Sequence, residues 1–164
     1  MNRTFRQLVQ ELVPKQLEGI TEWDETTITK QWILGGVSRL LKKCLLQIIP
    51  DRSARTLIPL VYAATPNAVL RITDEWRGYL ELKNHLTVCH AREFVSEHSS
   101  LIHTNTKEGI WGHIKPLSRH IYRGFPQETL HEFLAEAMFR YNYPDYKQRV
   151  SLLFALLSRK TNSL

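Results

Sequence analysis

The order of strand-like and helix-like segments constrains the fold of this chain more than any other feature of its sequence. Residues 19–26 read as a strand in which alternate side chains, Asp24 among them, share one face. Two mostly apolar runs over 32–39 and 44–49 predict two further strands, which residues 40–43 join as a hairpin turn. The chain is therefore expected to open with three consecutive antiparallel strands.

Helices and strands then alternate along the chain. Asp51 or Ser53 is suited to cap a helix that ends near Ala64. The next predicted elements are a strand over 68–73 that ends on Asp74, a helix over 75–83 and a strand over 86–89. The remaining predicted elements are a helix from about Asn105 that Pro116 kinks or ends, a helix over 126–141, and a second apolar helical stripe at Tyr146, Val150, Leu153, Phe154 and Leu157.

This order predicts an α/β fold with a five-stranded mixed sheet and helices on both faces. It is the element order of the ribonuclease-H-like fold, in which the first and fourth strands are neighbours. Asp24 and Asp74 are then expected to meet across these two strands. Residues 1–18 precede the sheet as a short N-terminal helical segment, with helical apolar spacing between Phe5 and Leu12.

Composition narrows the class of protein. The chain of 164 residues, 43% of them apolar, suffices for one domain with a core. Cys44 and Cys89 lack the paired spacing of a zinc ribbon, which fits a reducing, intracellular compartment. No apolar run approaches the roughly 20 residues of a membrane span, and the N-terminus lacks a signal-peptide core. We therefore expect a soluble protein with no membrane partner, whose net charge of +6 attracts polyanions.

Three carboxylates and a lysine form the candidate site. Asp24, Asp74 and Glu108 are suited to hold a divalent cation against a phosphodiester, because Mg²⁺ takes oxygen ligands. Glu108 and Lys115 are seven residues apart, about 20° short of two helical turns, so they share one helix face. Two alternatives stay open: Glu108 with Asn105 matches a capping box, and Lys115 equally fits a solvated helix position.

Six short motifs follow one another along most of the chain. They are Trp-Asp-Glu-Thr at 23–26, Trp-Ile-Leu-Gly-Gly at 32–36, Pro-Asp-Arg-Ser-Ala-Arg-Thr-Leu-Ile-Pro at 50–59, Thr-Asp-Glu-Trp-Arg-Gly-Tyr at 73–79, His-Thr-Asn-Thr-Lys-Glu-Gly-Ile-Trp at 103–111 and Phe-Arg-Tyr-Asn at 139–142. In this order and spacing they resemble the DDE transposases of the Merlin group and their bacterial insertion-sequence relatives.

The resemblance implies a ribonuclease-H-like catalytic domain over residues 19–164 that cuts and joins DNA, at transposon ends and in the target, with two Mg²⁺ or Mn²⁺ ions. By motif matching, Asp24, Asp74 and Glu108 are the catalytic residues and metal ligands. Lys115 matches a basic residue that such transposases often carry. The residues assigned to DNA contact are Lys115, Arg119, Lys42 and Lys43.

Other functions stay open at this point. One alternative is a non-catalytic DNA-binding or interaction module derived from such a transposase, and a weaker one is a structure-selective nuclease on the same fold. Only residues 1–18 precede the first predicted strand, too few for the zinc ribbon of the relatives, so DNA binding is expected to be weak and non-specific. We further expect a possible homodimer, located in the nucleus of a eukaryote or the cytoplasm and nucleoid of a bacterium, and not secreted.

Overall fold

The computed structural model of the protein describes residues 5, 8–88, 105–120 and 129–161; for residues 105–108, 119, 120, 160 and 161 the description covers the backbone alone. Within these residues the strands are β1 (Gly19–Ile28), β2 (Gln31–Ser38), β3 (Lys43–Ile49), β4 (Ala68–Thr73) and β5 (His85–Thr87). The helices that follow β3 are α1 (Ala54–Ala64), α2 (Asn105–His120), α3 (Leu130–Asn142) and α4 (Tyr146–Thr161).

The strands form one mixed sheet in the order β3-β2-β1-β4-β5. β2 is antiparallel to both β1 and β3, whereas β4 is parallel to β1 and β5 is parallel to β4. The predicted five-stranded mixed sheet is confirmed, and β1 and β4 are neighbours as expected. The antiparallel part is made by two short connections, whereas each parallel pairing needs a longer crossover.

Alternating apolar residues in the central strands build a core on each face of the sheet. On one face Ile33 packs with Ile114 of α2 and Phe133 of α3. On the other face the next residue, Leu34, packs with Leu57 of α1. The prediction of helices on both faces is therefore confirmed, and its cause is the two-residue period of strand side chains.

The N-terminal segment packs on the helical layer. Phe5, Leu8 and Val9 are helical, and fully buried Val9 contacts Phe139 of α3. The helix is shorter than its apolar spacing predicted, because the N–H of Leu12 bonds back three residues to Val9 and residues 10–12 form turns.

The predicted helix over 75–83 is wrong. The segment contains only a 3₁₀ turn, Arg77–Tyr79. Successive N–H groups bond back three residues, from Tyr79 to Trp76 and from Leu82 to Tyr79. This tighter turn places Tyr79 and Leu82 in the core with α1, so tertiary packing overrides the helical spacing of the sequence.

Two expectations about the later helices also differ from the structure. Of the two outcomes expected at Pro116, a kink or an end of the helix, the second is not observed: α2 continues to His120, and the carbonyl that loses its partner belongs to solvent-exposed Gly112. In α4 the residues Tyr146 and Phe154 of the predicted apolar stripe are 71% and 67% exposed, whereas Leu153 of that stripe packs against the core together with Leu152. The stripe predicted over 126–141 is confirmed for its described part, which begins at residue 129.

The strand predicted over 86–89 is observed as β5, which begins one residue earlier. Cys89 lies outside the described residues, as do residues 91–103, whose polar sequence predicts a surface loop. In the described part of the chain, no helix is both long and apolar enough to cross a membrane.

Candidate active site

Asp24 and Asp74 lie at the same level on neighbouring parallel strands. In the ladder between β1 and β4, Glu22 is opposite Ile72. Two residues further along each strand direction are Asp24, inside β1, and Asp74, the first residue after β4. Neighbouring strands are about 4.8 Å apart, and residues two apart in a strand share a face. The register thus places on adjacent strands two residues that are 50 positions apart in the sequence.

The Asp24 carboxylate is held by two hydrogen bonds. Its Oδ1 accepts from the N–H of Glu25 at 2.8 Å, and its Oδ2 accepts from the indole Nε1–H of Trp111 at 3.2 Å. Trp111 lies on α2 and is 8% exposed. Trp111 packs in the core, and its hydrogen bond adds a second role that the sequence did not reveal: it links α2 to the carboxylate.

A glycine makes this contact possible. Gly35 pairs with Asp24 across β1 and β2, and a Cβ on Gly35 would lie 2.7 Å from two ring carbons of Trp111. Real Cβ atoms avoid such distances, so the absence of a side chain lets the indole approach the sheet closely. The next residue, Gly36, accommodates the Trp23 ring on the opposite face in the same way.

Asp74 is positioned by the turn that follows β4. Its Oδ1 accepts from the N–H of Trp76 at 3.0 Å, and its carbonyl accepts from the hydroxyl of Thr73 at 2.7 Å. The same hydroxyl is 2.7 Å from Nε2 of His85. Because the hydroxyl proton goes to Asp74, Nε2 of His85 is the donor in this bond. Burial lowers the pKa of His85, which favours the neutral imidazole.

The third predicted ligand is placed by its backbone only. Residue 108 lies in α2, one turn before Trp111, and the Glu108 side chain lies outside the description. Among the side chains that the structure describes, no three His, Cys, Asp or Glu residues form a metal-holding group. Asp24 and Asp74 are therefore a described pair, and the roles of all three carboxylates stay predictions.

The predicted DNA contacts on α2 are only partly described. Lys115 is half-buried, and its carbonyl accepts from the hydroxyl of Ser118 at 2.8 Å. The side chain of Arg119 lies outside the described residues. The DNA-contact role of both residues stays a prediction.

The hairpin lysines lie away from the carboxylate pair. Ser38, the last residue of β2, pairs with Thr21, three residues before Asp24 and so about 10 Å along the strand. Lys42 is exposed in the turn with a φ of 49°. Lys43 donates its ammonium N–H to the carbonyl of Asn142, at the C-terminus of α3.

Lys43 thus has a structural role that its sequence position did not indicate. Its Nζ also lies 3.9 Å from the centroid of the Tyr143 ring. Burial lowers the pKa of Lys43. An ammonium at the last turn of a helix is favourable because the helix dipole is negative there.

The C-terminal end of β1, away from the hairpin lysines, carries a basic and aromatic group that our sequence analysis did not assign to the site. Trp32 pairs with Thr27 near the end of β1, and Trp76 follows Asp74 by two residues. The guanidinium of Arg52 lies 4.2 Å from the centroid of each of these two indole rings. The signal in the sequence was the set of Trp and Arg residues spread over three motifs: a Trp at 32–36, an Arg at 50–59, and a Trp with an Arg at 73–79.

Comparison with known proteins gives a consistent picture. A family model described as the ISXO2-like transposase domain matches residues 13–142. An uncharacterized transposase-like protein of Haemophilus influenzae (strain ATCC 51907 / DSM 11121 / KW20 / Rd) is 26% identical over 116 residues, which cover 67% of this chain and 89% of that protein. These matches confirm the resemblance to insertion-sequence transposases, whereas the Merlin group stays a finer prediction.

Solved structures agree in fold. An intasome of simian T-cell lymphotropic virus, in complex with the PP2A regulatory subunit B56 gamma, matches with a TM-score of 0.57 and 14% identity over 82% of this chain and 50% of that chain. The HTLV-2 integrase catalytic core domain in complex with magnesium matches with a TM-score of 0.50 and 14% identity, over 79% of this chain and 86% of that chain. The fold is ribonuclease-H-like, as predicted.

Proposed function

Because this chain belongs to the ISXO2-like transposase domain family, we propose that it is a catalytic domain that cuts DNA at transposon ends and joins the cut strand to target DNA. In the first reaction water attacks a phosphodiester and releases a 3′-hydroxyl; in the second that hydroxyl attacks a phosphodiester of the target. The observation that carries the proposal is the pair Asp24 and Asp74, level with each other on neighbouring strands.

The side chains present fit a divalent cation. Carboxylate oxygens are the ligands that Mg²⁺ and Mn²⁺ take, and the hydrogen bonds to Asp24 and Asp74 leave lone pairs on each carboxylate. Asp24, Asp74 and Glu108 are the proposed ligands. A bound divalent cation would activate the attacking oxygen and stabilise the leaving oxygen.

The chain's own contribution is to hold these carboxylates in place. Trp111 and the backbone N–H of Glu25 fix both oxygens of Asp24, and the N–H of Trp76 fixes one oxygen of Asp74. Fixed carboxylates need no reorganisation when charge develops during the reaction, which is the main source of electrostatic catalysis. If the two carboxylates share a cation as proposed, repulsion between them would destabilise the metal-free protein.

Thermal melting with and without Mn²⁺ tests the proposal. A cation that binds only the folded state at about 100 times its Kd adds about 2.7 kcal/mol, which corresponds to a rise in Tm of roughly 5–10 °C for a chain of this size. Asp24→Asn and Asp74→Asn should lose this rise and raise the metal-free Tm. Glu81→Gln, which removes an exposed acid outside the site, is the matched control and should behave like the wild type.

Glu108→Gln separates two roles of that residue. Glutamine also serves in a capping box, so a capping role predicts little change in Tm or in the response to Mn²⁺. A metal-ligand role predicts a weaker response and less nicking of a labelled DNA duplex. If the wild type shows neither metal-dependent stabilisation nor nicking at any Mn²⁺ concentration, the enzyme proposal is wrong and the alternative, a non-catalytic DNA-binding or interaction module, replaces it.

A further inference from the structure

A cavity of about 560 Å³ opens at the end of the sheet where β4 leads into Asp74. Its lining combines two indole rings, two guanidinium groups and the first residues of α1: Trp32, Arg52, Ser53, Ala54, Trp76, Arg77 and Gly78. The N–H of Trp76, in the cavity wall, donates to Oδ1 of Asp74, so the cavity adjoins Asp74. The proposed chemistry does not use this cavity.

Arg52 is held rigidly, and its hydrogen-bond donors are not satisfied by the described residues. Its guanidinium is stacked between the rings of Trp32 and Trp76, 4.2 Å from each centroid, and its carbonyl accepts from Nε1 of Trp76 at 2.8 Å. Its one described ion pair, with Glu25, is 3.9 Å long. That distance exceeds hydrogen-bond range, and the Arg52 side chain is 32% exposed.

The neighbouring acids are already engaged. Glu25 accepts a hydrogen bond from the hydroxyl of buried Tyr79. Asp51 is exposed, but its Oδ1 accepts from the N–H of Ser53 and the hydroxyl of Thr56. Hydrogen bonding with the side chain and backbone of Ser53 and with the Thr56 side chain lowers the pKa of Asp51. These carboxylates therefore serve the local structure, and none of them lies within hydrogen-bond distance of the Arg52 guanidinium among the described residues.

A second arginine lies at the mouth of the cavity. Arg77 is exposed, and in the described part of the chain its guanidinium has no carboxylate partner, only a ring contact with Trp76 at 5.6 Å. Gly78 keeps this turn close to Arg52, because a Cβ there would lie 2.8 Å from the Arg52 carbonyl. Ser53 and Ala54 add the positive end of the α1 dipole to the same wall.

We infer that Arg52 and Arg77 bind backbone phosphates of the DNA strand that reaches Asp24 and Asp74. An arginine fixed flat between aromatic rings presents its planar N–H edge at little entropic cost, and that edge matches a phosphate in a bidentate manner. The inference rests on the proposed function for the identity of the polyanion. The competing explanation is that Arg52 only fills the space between two tryptophans.

Salt-dependent DNA binding separates these explanations. Fluorescence anisotropy of a labelled duplex, in EDTA so that no strand is cut, gives the slope of log K against log salt. Each phosphate contact contributes about 0.9 to this slope for a duplex. Arg52→Gln and Arg77→Gln should each reduce the slope by about 0.9 and weaken binding about tenfold at low salt. Arg55→Gln removes an exposed charge on the first turn of α1, outside the cavity, and should change both values less.

Stability measurements and a cleavage assay complete the test. If Arg52→Gln lowers Tm, Arg77→Gln still decides the matter, because its exposed side chain makes few contacts. If the salt dependence of binding has the same slope in Arg52→Gln and Arg77→Gln as in Arg55→Gln, the inference is wrong. The proposed function is not affected by that result. If both variants reduce the slope but the wild type never nicks DNA, the inference is supported and the enzyme proposal is wrong. A wild type that binds no duplex overturns both.

Discussion

Gly35→Ala should disturb the carboxylate site through Trp111 without touching a carboxylate. The new Cβ would lie 2.7 Å from two carbons of the indole and 3.3 Å from Leu46. Carbon atoms pack at about 3.5–4.0 Å, so the ring must withdraw by roughly 1 Å. The bond between Nε1 of Trp111 and Oδ2 of Asp24, now 3.2 Å, would then exceed hydrogen-bond length.

The expected cost follows from three contributions. Overpacking a core costs about 1–3 kcal/mol, and a lost hydrogen bond to a charged group costs about 1.5–3 kcal/mol. The substitution also stabilises the protein by roughly 0.5–1 kcal/mol, because alanine leaves the unfolded chain fewer conformations than glycine does. The free energy of unfolding should therefore fall by about 3 kcal/mol. A displacement of 1 Å at a reacting site lowers rates by roughly 100-fold, so DNA nicking should fall by that factor if the chain is the proposed enzyme.

Gly36→Ala is the matched control for this prediction. Its Cβ would lie 2.5–2.7 Å from the Trp23 ring on the other face of β2, so the overpacking is similar. Trp23 donates to Thr21 rather than to a carboxylate. Urea unfolding should show losses of similar size in both variants, whereas nicking, measured below the unfolding transition, should fall in Gly35→Ala alone.

A third variant isolates the hydrogen bond. Trp111→Phe keeps an aromatic ring but removes the donor to Asp24, so nicking should fall although the fold is retained. The reasoning is refuted if Gly35→Ala lowers the free energy of unfolding by less than about 0.5 kcal/mol, which is the usual range for a harmless substitution. Equal nicking by Trp111→Phe and the wild type would show that this hydrogen bond does not position Asp24.

Two further predictions concern stability. Asn142→Ala should lower the free energy of unfolding by about 3 kcal/mol in urea titrations. The amide of Asn142 pairs with both the N–H and the carbonyl of Cys44 on edge strand β3, and each buried group left unpaired costs about 1–3 kcal/mol. A loss below about 1 kcal/mol would contradict this. Burial lowers the pKa of His85 in the folded protein, so the imidazole is protonated at a higher pH in the unfolded chain, near about 6.5. The free energy of unfolding therefore falls as the pH falls below about 6.5. In melting curves from pH 8 to 5, His85→Gln should lose less Tm than the wild type, and identical pH profiles would disprove the role of His85.

The sequence was sufficient for the parts of the site that depend on local pattern. The period of two in β1 placed Asp24 on one face, and the apolar run of β4 ended on Asp74. The order of elements then made these two strands neighbours. The helix predicted from about Asn105 contains Glu108, and the backbone of α2 agrees with that, whereas the Glu108 side chain lies outside the description.

Tertiary structure alone decided which side chains hold the site and which line the adjoining cavity. Trp111 reaches Asp24 across 87 residues of sequence, and Trp76 reaches the carbonyl of Arg52 across 24. A local pattern reports the face on which a side chain lies but not the atom that it meets. For the same reason the helical spacing over 75–83 misled: packing of Tyr79 against α1 stabilises a 3₁₀ turn there, and that free energy exceeds the small differences between local backbone preferences.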